Sequence, residues 1–194
     1  ILGLREFYHV AENGTKVINP QGKLEYNKHI PVREVQQIID AATELFDSIG
    51  FCIDSRWRSE YQNPEKEIVS VLSLSSSSRE KAEKIAKALE KLPQKYQVVT
   101  GAHWGNSSWA VTYVSHRNTS KGAGLRYIQK KLNISKSQTI AVGDGASDVY
   151  MMTYAQEKIA MGNAEPELKK IATYIAPSLS KNGLVEAINK FIYP

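Results

Sequence analysis

The sequence predicts an α/β fold, in which a Rossmann-like parallel sheet forms the C-terminal part and a separate α+β unit precedes it. Two observations indicate this fold. After Arg117, strands alternate with helices over short loops, which is typical of a doubly wound parallel sheet. Residues 30–114 instead give helix–strand–helix–strand–strand, an α+β unit of its own. Residues 1–29 form a third segment, with short extended runs joined by turns.

The first segment carries the signature of a β-hairpin. Extended runs at Phe7–Val10 and Thr15–Ile18 flank the turn Glu12–Gly14, and a second turn follows at Pro20–Lys23. An Asn-Gly pair between short apolar runs favours a hairpin because both residues tolerate a positive φ.

The middle segment begins with an amphipathic helix. From Pro31 the apolar residues recur at spacings of three and four, and we expect this helix to end at Gly50. The run Ser75–Ser78 is predicted to be a loop and helix cap. The other predicted elements are a strand at 66–74, a second helix ending before Pro93, and strands at Tyr96–Thr100 and Trp109–Val114.

The last segment alternates helices and strands to the end of the chain. In parallel sheets of this kind, ligands bind beyond the carboxyl ends of the strands. The predicted helices cover 121–132, 148–155, 165–172 and 183–192, and the predicted strands cover 139–142, 158–161 and 174–176.

Composition favours a soluble protein of a reducing compartment. Hydrophobic residues make up 42% and charged residues 23%, so the chain can bury an ordinary core. We find no apolar run near the roughly 20 residues that span a bilayer and no secretory signal. The single Cys52 excludes an internal disulfide. We therefore expect a cytoplasmic protein with no membrane partner.

The net charge of +5 raises the question of a nucleic-acid partner. In the run Arg79–Lys84, however, basic residues alternate with acidic ones, as on a solvated helix face. A mildly basic enzyme that acts on anionic substrates explains the charge more simply, so we expect no nucleic-acid partner.

The segment Thr139–Asp148 carries the clearest chemical pattern. An apolar strand runs into Gly143-Asp144-Gly145, and Asp148 follows four residues after Asp144 at the start of the next helix. Two carboxylates at one strand end repel each other unless a cation lies beside them, and Mg²⁺ prefers such oxygen ligands. The alternative from spacing alone is that Asp144 is a turn residue and Asp148 a helix N-cap.

A second pattern lies at the predicted helix start Asn118–Leu125. Lys121 falls in the first turn of this helix, where the helix dipole favours anions rather than cations. A phosphate bound by the lysine and the free backbone amides would explain this placement. The alternatives are a solvated surface lysine and, for the two nearby glycines, close helix packing.

Together these patterns resemble the third and fourth motifs of phosphatases of the haloacid dehalogenase (HAD) superfamily. Further segments are similar to its Cof-type branch. These are Glu12-Asn13-Gly14, Met151-Met152, Ile159-Ala160-Met161-Gly162-Asn163-Ala164 and Asn182-Gly183. The linked order of the motifs covers nearly the whole chain and is more specific than any one of them.

The resemblance implies a domain plan and a role for each motif residue. Residues 30–114 would be an α+β cap domain inserted into a HAD core formed by residues 1–29 and 115–194. Asp144 would bind Mg²⁺, and Asp148 would be a ligand or would support one. Lys121 would hold the transferring phosphoryl group. Ser147 stands where many Cof-type members have an asparagine that contacts phosphate, which puts that contact in question.

The family's first motif, Asp-x-Asp-x-Thr, does not occur in residues 1–194, nor does the Ser or Thr of its second motif. The resemblance therefore implies a Mg²⁺-dependent phosphatase that forms an aspartyl-phosphate through a nucleophile upstream of Ile1. On this interpretation the chain alone is inactive. The alternatives are a non-catalytic HAD-like binding or regulatory protein and, from another class, a nucleic-acid-binding module.

The cap offers candidates for substrate selection. Arg56 and Arg58 alternate with Trp57, so both guanidinium groups point the same way in an extended segment and can grip a carboxylate or phosphate. The alternative is two surface arginines around a buried tryptophan. The segment is similar to one in archaeal-type phosphoglycolate phosphatases, so phosphoglycolate and a sugar phosphate both remain candidate substrates. His103 beside Trp104 is expected to be a loop histidine stacked on a ring. The sequence leaves the choice between monomer and dimer open.

Overall fold

The computed structural model describes residues 6–60, 67–103 and 105–193. The chain divides into two compact units between Ser120 and Lys121. Within the described ranges, every helix is too short or too polar to cross a bilayer. The assignment of residues 1–29 and 115–194 to one core remains a prediction.

The first unit opens with a three-stranded antiparallel sheet of β1 (His9–Ala11), β2 (Lys16–Ile18) and β3 (Leu24–Asn27). The hairpin prediction is confirmed, because a 3₁₀ turn at Glu12–Gly14 joins β1 to β2 with φ values of 50°, 54° and 89°. Glycine is required at position 14 for two reasons. Its backbone has a positive φ, and a Cβ on any other residue would lie 1.9 Å from the Ser120 carbonyl oxygen.

A five-stranded antiparallel sheet with two helices forms the rest of this unit. The elements are α1 (Val32–Ala42), β4 (Ser48–Ile53), β5 (Arg56–Arg58), β6 (Val69–Ser76), α2 (Arg79–Glu90), β7 (Tyr96–His103) and β8 (Asn106–His116). The strand order is β5-β4-β6-β8-β7. Apolar side chains of both helices and one sheet face share a buried core, which includes Val35, Ile38, Phe51, Leu72, Leu74, Ile85 and Val114.

The first helix ends earlier than the sequence predicts. It stops at Ala42, because Thr43 leaves helical backbone angles and Glu44 has φ 67°. Leu45 and Phe46 pack against the same core from a loop, and their spacing from the apolar residues of α1 is the same as in a further helical turn, so the sequence pattern predicts too long a helix. Gly50, predicted as the helix end, lies within strand β4.

The serine run is only partly a loop. Strand β6 begins at Val69 and continues through Ser76, and only Ser78 caps α2 by accepting a hydrogen bond from the Lys81 amide at 3.2 Å. Lys66, the predicted strand start, lies outside the described residues.

The second unit confirms the predicted parallel α/β fold. The strands β9 (Ile140–Gly143), β10 (Glu157–Ala160) and β11 (Tyr174–Ile175) form a parallel sheet in the order β11-β10-β9, so β9 is an edge strand among the described residues. The helix predicted at 148–155 is shorter, because a 3₁₀ turn at Ala146–Asp148 precedes it and it ends at Met152. The elements are α3 (Lys121–Leu132), β9 (Ile140–Gly143), α4 (Val149–Met152), β10 (Glu157–Ala160), α5 (Pro166–Ile171), β11 (Tyr174–Ile175) and α6 (Gly183–Phe191).

Candidate functional site

Asp148 is the buried centre of the loop that follows β9. Its side chain is only 5% exposed, and its Oδ1 accepts a hydrogen bond from the Lys121 Nζ at 2.7 Å. Its Oδ2 accepts hydrogen bonds from the backbone amides of Asp144 and Gly145, both at 3.1 Å. One carboxylate thus fixes the backbone of the turn and the lysine of α3 together through charge-assisted bonds.

The position of Asp148 depends on a glycine beside it. A Cβ on Gly143 would lie 2.5 Å from the Asp148 Cβ and 2.6 Å from its Cγ. The bare backbone of Gly143 therefore leaves the space in which the carboxylate packs. The side chain of Asp148 does not cap α4, but reaches back to the turn before it.

Asp144 presents its carboxylate to solvent at the end of β9. Its backbone is held on both sides, by the bond from its amide to Asp148 and by a 2.9 Å bond from the Glu165 amide to its carbonyl oxygen. The Asp144 Oδ2 accepts a long hydrogen bond of 3.4 Å from the Asn163 amide group. The backbone of this residue is therefore fixed while its carboxylate remains accessible.

Asn163 is a site residue that the sequence reasoning did not single out. Its Nδ2 contacts Asp144, and its Oδ1 accepts a hydrogen bond from the Leu179 amide at 3.1 Å. The segment Ile159–Ala164, noted only as a resemblance, was the signal that could have identified it.

Lys121 lies in the first turn of α3, and its side chain is 38% exposed. The ion pair with Asp148 supplies a partner for its charge within the protein, which the sequence pattern alone did not reveal. The exposed part of the ammonium group can still contact a ligand. Close packing explains Gly122, since a Cβ there would lie 2.3 Å from the Tyr150 carbonyl oxygen.

The donor groups at this strand end fit a hard divalent cation. Asp144 offers an exposed carboxylate and Asp148 a second one directly behind the same turn. Mg²⁺ commonly takes one or two protein carboxylates and completes its shell with water and phosphate oxygens. A cluster of three or more acidic, histidine or cysteine ligands is absent from the described ranges. The residues present therefore fit Mg²⁺ as a partial ligand set.

The structure brings Lys121, Asp144 and Asp148 together, and it places Ser147 half-buried in the turn before α4. A small cavity of about 210 Å³ adjoins Asp144, lined in part by Leu179 and Leu184.

The predicted cap residues lie in the other unit. Arg56 and Arg58 flank Trp57 on the edge strand β5, and the Arg58 guanidinium forms an ion pair with Glu67 at 2.8 Å. Trp57 is 56% exposed, so the predicted burial of the tryptophan is wrong, whereas both arginines are exposed, as that alternative expects.

His103 ends β7, with its ring centroid 6.1 Å from that of Trp109 in an edge-on arrangement. The predicted partner Trp104 lies outside the described residues.

A known protein family matches most of this chain. The sequence model of the haloacid dehalogenase-like hydrolases matches residues 57–188. The phosphoglycolate phosphatase of Nitrosopumilus maritimus is 37% identical over 81 residues, which are 40% of this chain. The chain spans only 35% of the length of that relative.

Similar solved structures share the fold over nearly the whole chain. A haloacid dehalogenase-like hydrolase from B. subtilis has a TM-score of 0.78 at 21% identity, over 95% of this chain and 79% of that one. A sugar phosphatase of HAD subclass IIB has a TM-score of 0.73 at 18% identity, over 95% of this chain and 75% of that one. The predicted resemblance to the HAD superfamily is confirmed.

Proposed function

The chain belongs to the haloacid dehalogenase-like hydrolases, and we propose that it acts as a Mg²⁺-dependent phosphatase of small phosphorylated metabolites. The observation that carries this proposal is the bonding of Asp148. This one buried carboxylate holds the ammonium group of Lys121 and the turn that presents Asp144. A cationic group for phosphate and an anionic group for a metal thus lie beside the same strand end.

In the proposed reaction, Asp144 would hold Mg²⁺, with Asp148 as a second ligand or as its support. The bound ion would neutralise charge on the phosphoryl group. Lys121 would contact the phosphoryl oxygens and screen their charge from the attacking carboxylate, while Asp148 keeps the ammonium group in place. Ser147 would offer its hydroxyl to the same oxygens.

The nucleophile is proposed to be an aspartate that precedes Ile1. Its carboxylate attacks phosphorus, the substrate alcohol leaves with a proton from a neighbouring acid, and water then releases inorganic phosphate from the aspartyl-phosphate. The position of β9 supports this. In the part of the chain that the structure describes, no strand pairs with its outer edge. A parallel strand added there would end beside Asp144.

Two kinds of substrate are candidates, phosphoglycolate and a sugar phosphate. A relative named phosphoglycolate phosphatase supports phosphoglycolate, and a structural neighbour named sugar phosphatase supports a sugar phosphate. A cytoplasmic location with no nucleic-acid partner remains part of the same proposal.

The test compares two proteins, the 194-residue chain and the longest natural protein that contains it. Hydrolysis of p-nitrophenyl phosphate, 2-phosphoglycolate and hexose 6-phosphates is measured with Mg²⁺ and with a chelator. We expect Mg²⁺-dependent release of phosphate by the longer protein and none by the chain alone. Failure of the longer protein on a broad ester panel would favour the non-catalytic alternative.

A further inference from the structure

The two carboxylate oxygens of Asp144 have different surroundings. The Oδ2 accepts the 3.4 Å hydrogen bond from the Nδ2 of Asn163. The Oδ1 accepts no hydrogen bond from the residues that the structure describes. Mg²⁺ is commonly bound through one or two protein carboxylates, with water completing its octahedral shell. One oxygen of Asp144 is thus held by a side chain from another loop, and the other remains open to a cation.

The amide group of Asn163 fits this position in only one of its two orientations. Its Oδ1 accepts a hydrogen bond from the Leu179 amide at 3.1 Å, while its Nδ2 faces the Asp144 carboxylate. Rotation of the amide group by 180° would place its two donors against a backbone N–H and its oxygen against a carboxylate. The bond from Leu179 therefore determines that Asn163 presents a donor to Asp144.

The backbone beside Asn163 is held as well. The Gly162 amide donates a hydrogen bond to the Pro177 carbonyl oxygen at 3.2 Å, and the Lys169 Nζ donates one to the Gly162 carbonyl oxygen at 2.7 Å. A Cβ on Gly162 would lie 2.6 Å from the Ser178 amide nitrogen, so the loops that follow β10 and β11 are in direct contact. Asn163 therefore projects from a backbone that is fixed at several points.

The neutral charge of Asn163 matters for the same carboxylate. An ammonium or guanidinium group at this position would also hold Asp144, but it would compete with a cation for the negative charge. Asparagine donates a hydrogen bond without adding charge. The lysine of the site, Lys121, pairs with Asp148 instead. The negative charge of Asp144 thus remains available to a bound cation.

We propose that Asn163 is a positioning residue, which holds the Oδ2 of Asp144 and thereby directs the Oδ1 toward the cation. This inference rests on the proposed function for the identity of that cation. Removal of a side chain that hydrogen-bonds a metal-binding residue typically lowers metal affinity by roughly 10–100-fold. The bond to Asp144 is long and Asn163 is exposed, so the lower end of this range is expected.

The test measures Mg²⁺ affinity without substrate, in the longest natural protein that contains the chain. Mg²⁺ is titrated against bound Mn²⁺, and the released Mn²⁺ is detected by electron paramagnetic resonance. Asn163→Ala should raise the dissociation constant of Mg²⁺ about tenfold, and Asp144→Ala should abolish the binding. Asn189→Ala, the same substitution at an exposed residue of α6, is the matched control and should bind Mg²⁺ like the wild type.

A second variant tests the bond that orients Asn163. Leu179→Pro removes the amide hydrogen at the first position of a 3₁₀ turn, and Ser178 before it has φ −64° and ψ 162°, which suit a residue that precedes proline. Without this bond the amide group of Asn163 can rotate. Leu179→Pro should therefore weaken Mg²⁺ binding too, but by less than Asn163→Ala.

Turnover separates positioning from a purely structural role. In Asn163→Ala, the Mg²⁺ concentration for half-maximal phosphatase activity should rise by the same factor as the dissociation constant, while kcat at saturating Mg²⁺ changes much less. Asparagine that only joins two loops would instead lower the free energy of unfolding in urea and leave the Mg²⁺ dissociation constant of the folded protein unchanged. That result would overturn the inference.

The variants also distinguish this inference from the proposed function. Mg²⁺ binding that Asp144→Ala abolishes and Asn163→Ala leaves unchanged would overturn the inference alone. Asn163-dependent Mg²⁺ binding without hydrolysis of any phosphate ester would retain the inference and remove the proposed function. Mg²⁺ binding that is indifferent to both Asp144→Ala and Asn163→Ala would remove both.

Discussion

In each unit of the molecule, a buried carboxylate lies beside a lysine. In the first unit, the Glu12 Oε1 accepts hydrogen bonds from the Lys16 Nζ at 2.8 Å and from the Ser55 hydroxyl. In the second unit, the Asp148 Oδ1 accepts one from the Lys121 Nζ at 2.7 Å. The two carboxylates are almost equally enclosed, with 7% and 5% of their side chains exposed.

The second oxygen of each carboxylate shows the first difference. The Asp148 Oδ2 accepts two backbone hydrogen bonds from the turn after β9. The Glu12 Oε2 is buried without a hydrogen-bond partner among the described residues. Because both oxygens of Asp148 accept hydrogen bonds, this carboxylate can hold the turn after β9 and Lys121 at the same time. Glu12 accepts hydrogen bonds from Lys16 and Ser55 through one oxygen only.

The lysines differ as well. Lys16 is 15% exposed and enclosed in its cluster, while Lys121 is 38% exposed. An ammonium group that is both paired and accessible can contact a ligand without being reoriented. The comparison teaches that two ion pairs with equally buried carboxylates differ in the exposure of their lysines, and this difference is our reason for proposing that Lys121 contacts a ligand and that Lys16 does not.

The largest effect should follow from Asp144→Ala. Because Asp144 is exposed, its removal should leave the fold intact but take away the proposed metal ligand, and Mg²⁺-dependent turnover should fall by about a hundredfold or more. Steady-state kinetics of the longer protein, with thermal unfolding as the control for folding, measures this. Undiminished activity would remove Asp144 from the site.

Asp148→Ala should destabilise the fold as well as lower activity. It leaves two turn amides and Lys121 without their acceptor, which should lower the free energy of unfolding by about 2–4 kcal/mol. Urea denaturation monitored by circular dichroism checks this value. A stability equal to that of Asp144→Ala would show that the bonds of Asp148 do not hold the turn.

Glu12→Gln should have a smaller effect on stability, about 1–2 kcal/mol, because only one carboxylate oxygen is bonded. The phosphatase turnover of the folded Glu12→Gln variant should stay close to the wild-type value. The same denaturation experiment on both variants compares the two carboxylates directly, and a larger loss for Glu12→Gln than for Asp148→Ala would reverse their proposed order.

The stabilisation from Glu12 should also depend on pH. Burial raises the pKa of Glu12, but the hydrogen bonds from Lys16 and Ser55 outweigh this and lower it below its usual value of 4.5. A lowered folded pKa means that the stabilisation is complete above pH 4.5 and disappears as the pH falls through the folded value. The stability gap between wild type and Glu12→Gln should therefore narrow below pH 4.5, and a gap that is constant with pH would contradict this.

The sequence predicted the parts of the molecule that depend on local order. The apolar strand before Gly143, the two aspartates and the lysine at a helix start lie close in sequence or in a linked motif, and the structure places them together. The Glu12–Gly14 hairpin followed from its positive φ preference.

Other parts depend on packing that no local pattern records. The spacing of Leu45 and Phe46 extends the predicted helix to Gly50, into the start of strand β4, because both side chains reach the core from a loop. The contact of Asn163 with Asp144 joins two loops, and the Trp57 ring lies close to Gly50 of a neighbouring strand. These contacts form only when residues that are far apart in the sequence come together in the fold, so no local sequence pattern predicts them.

The most direct test of the account compares Lys121→Met with Lys16→Met in the longer protein, with kcat and KM measured for one phosphate ester at saturating Mg²⁺. We predict that Lys121→Met lowers kcat by about a hundredfold with a modest loss of stability. Lys16→Met should lower stability while kcat of the folded fraction stays near the wild-type value. Equal kcat values for the two variants would contradict the assignment of Lys121 to the phosphoryl group.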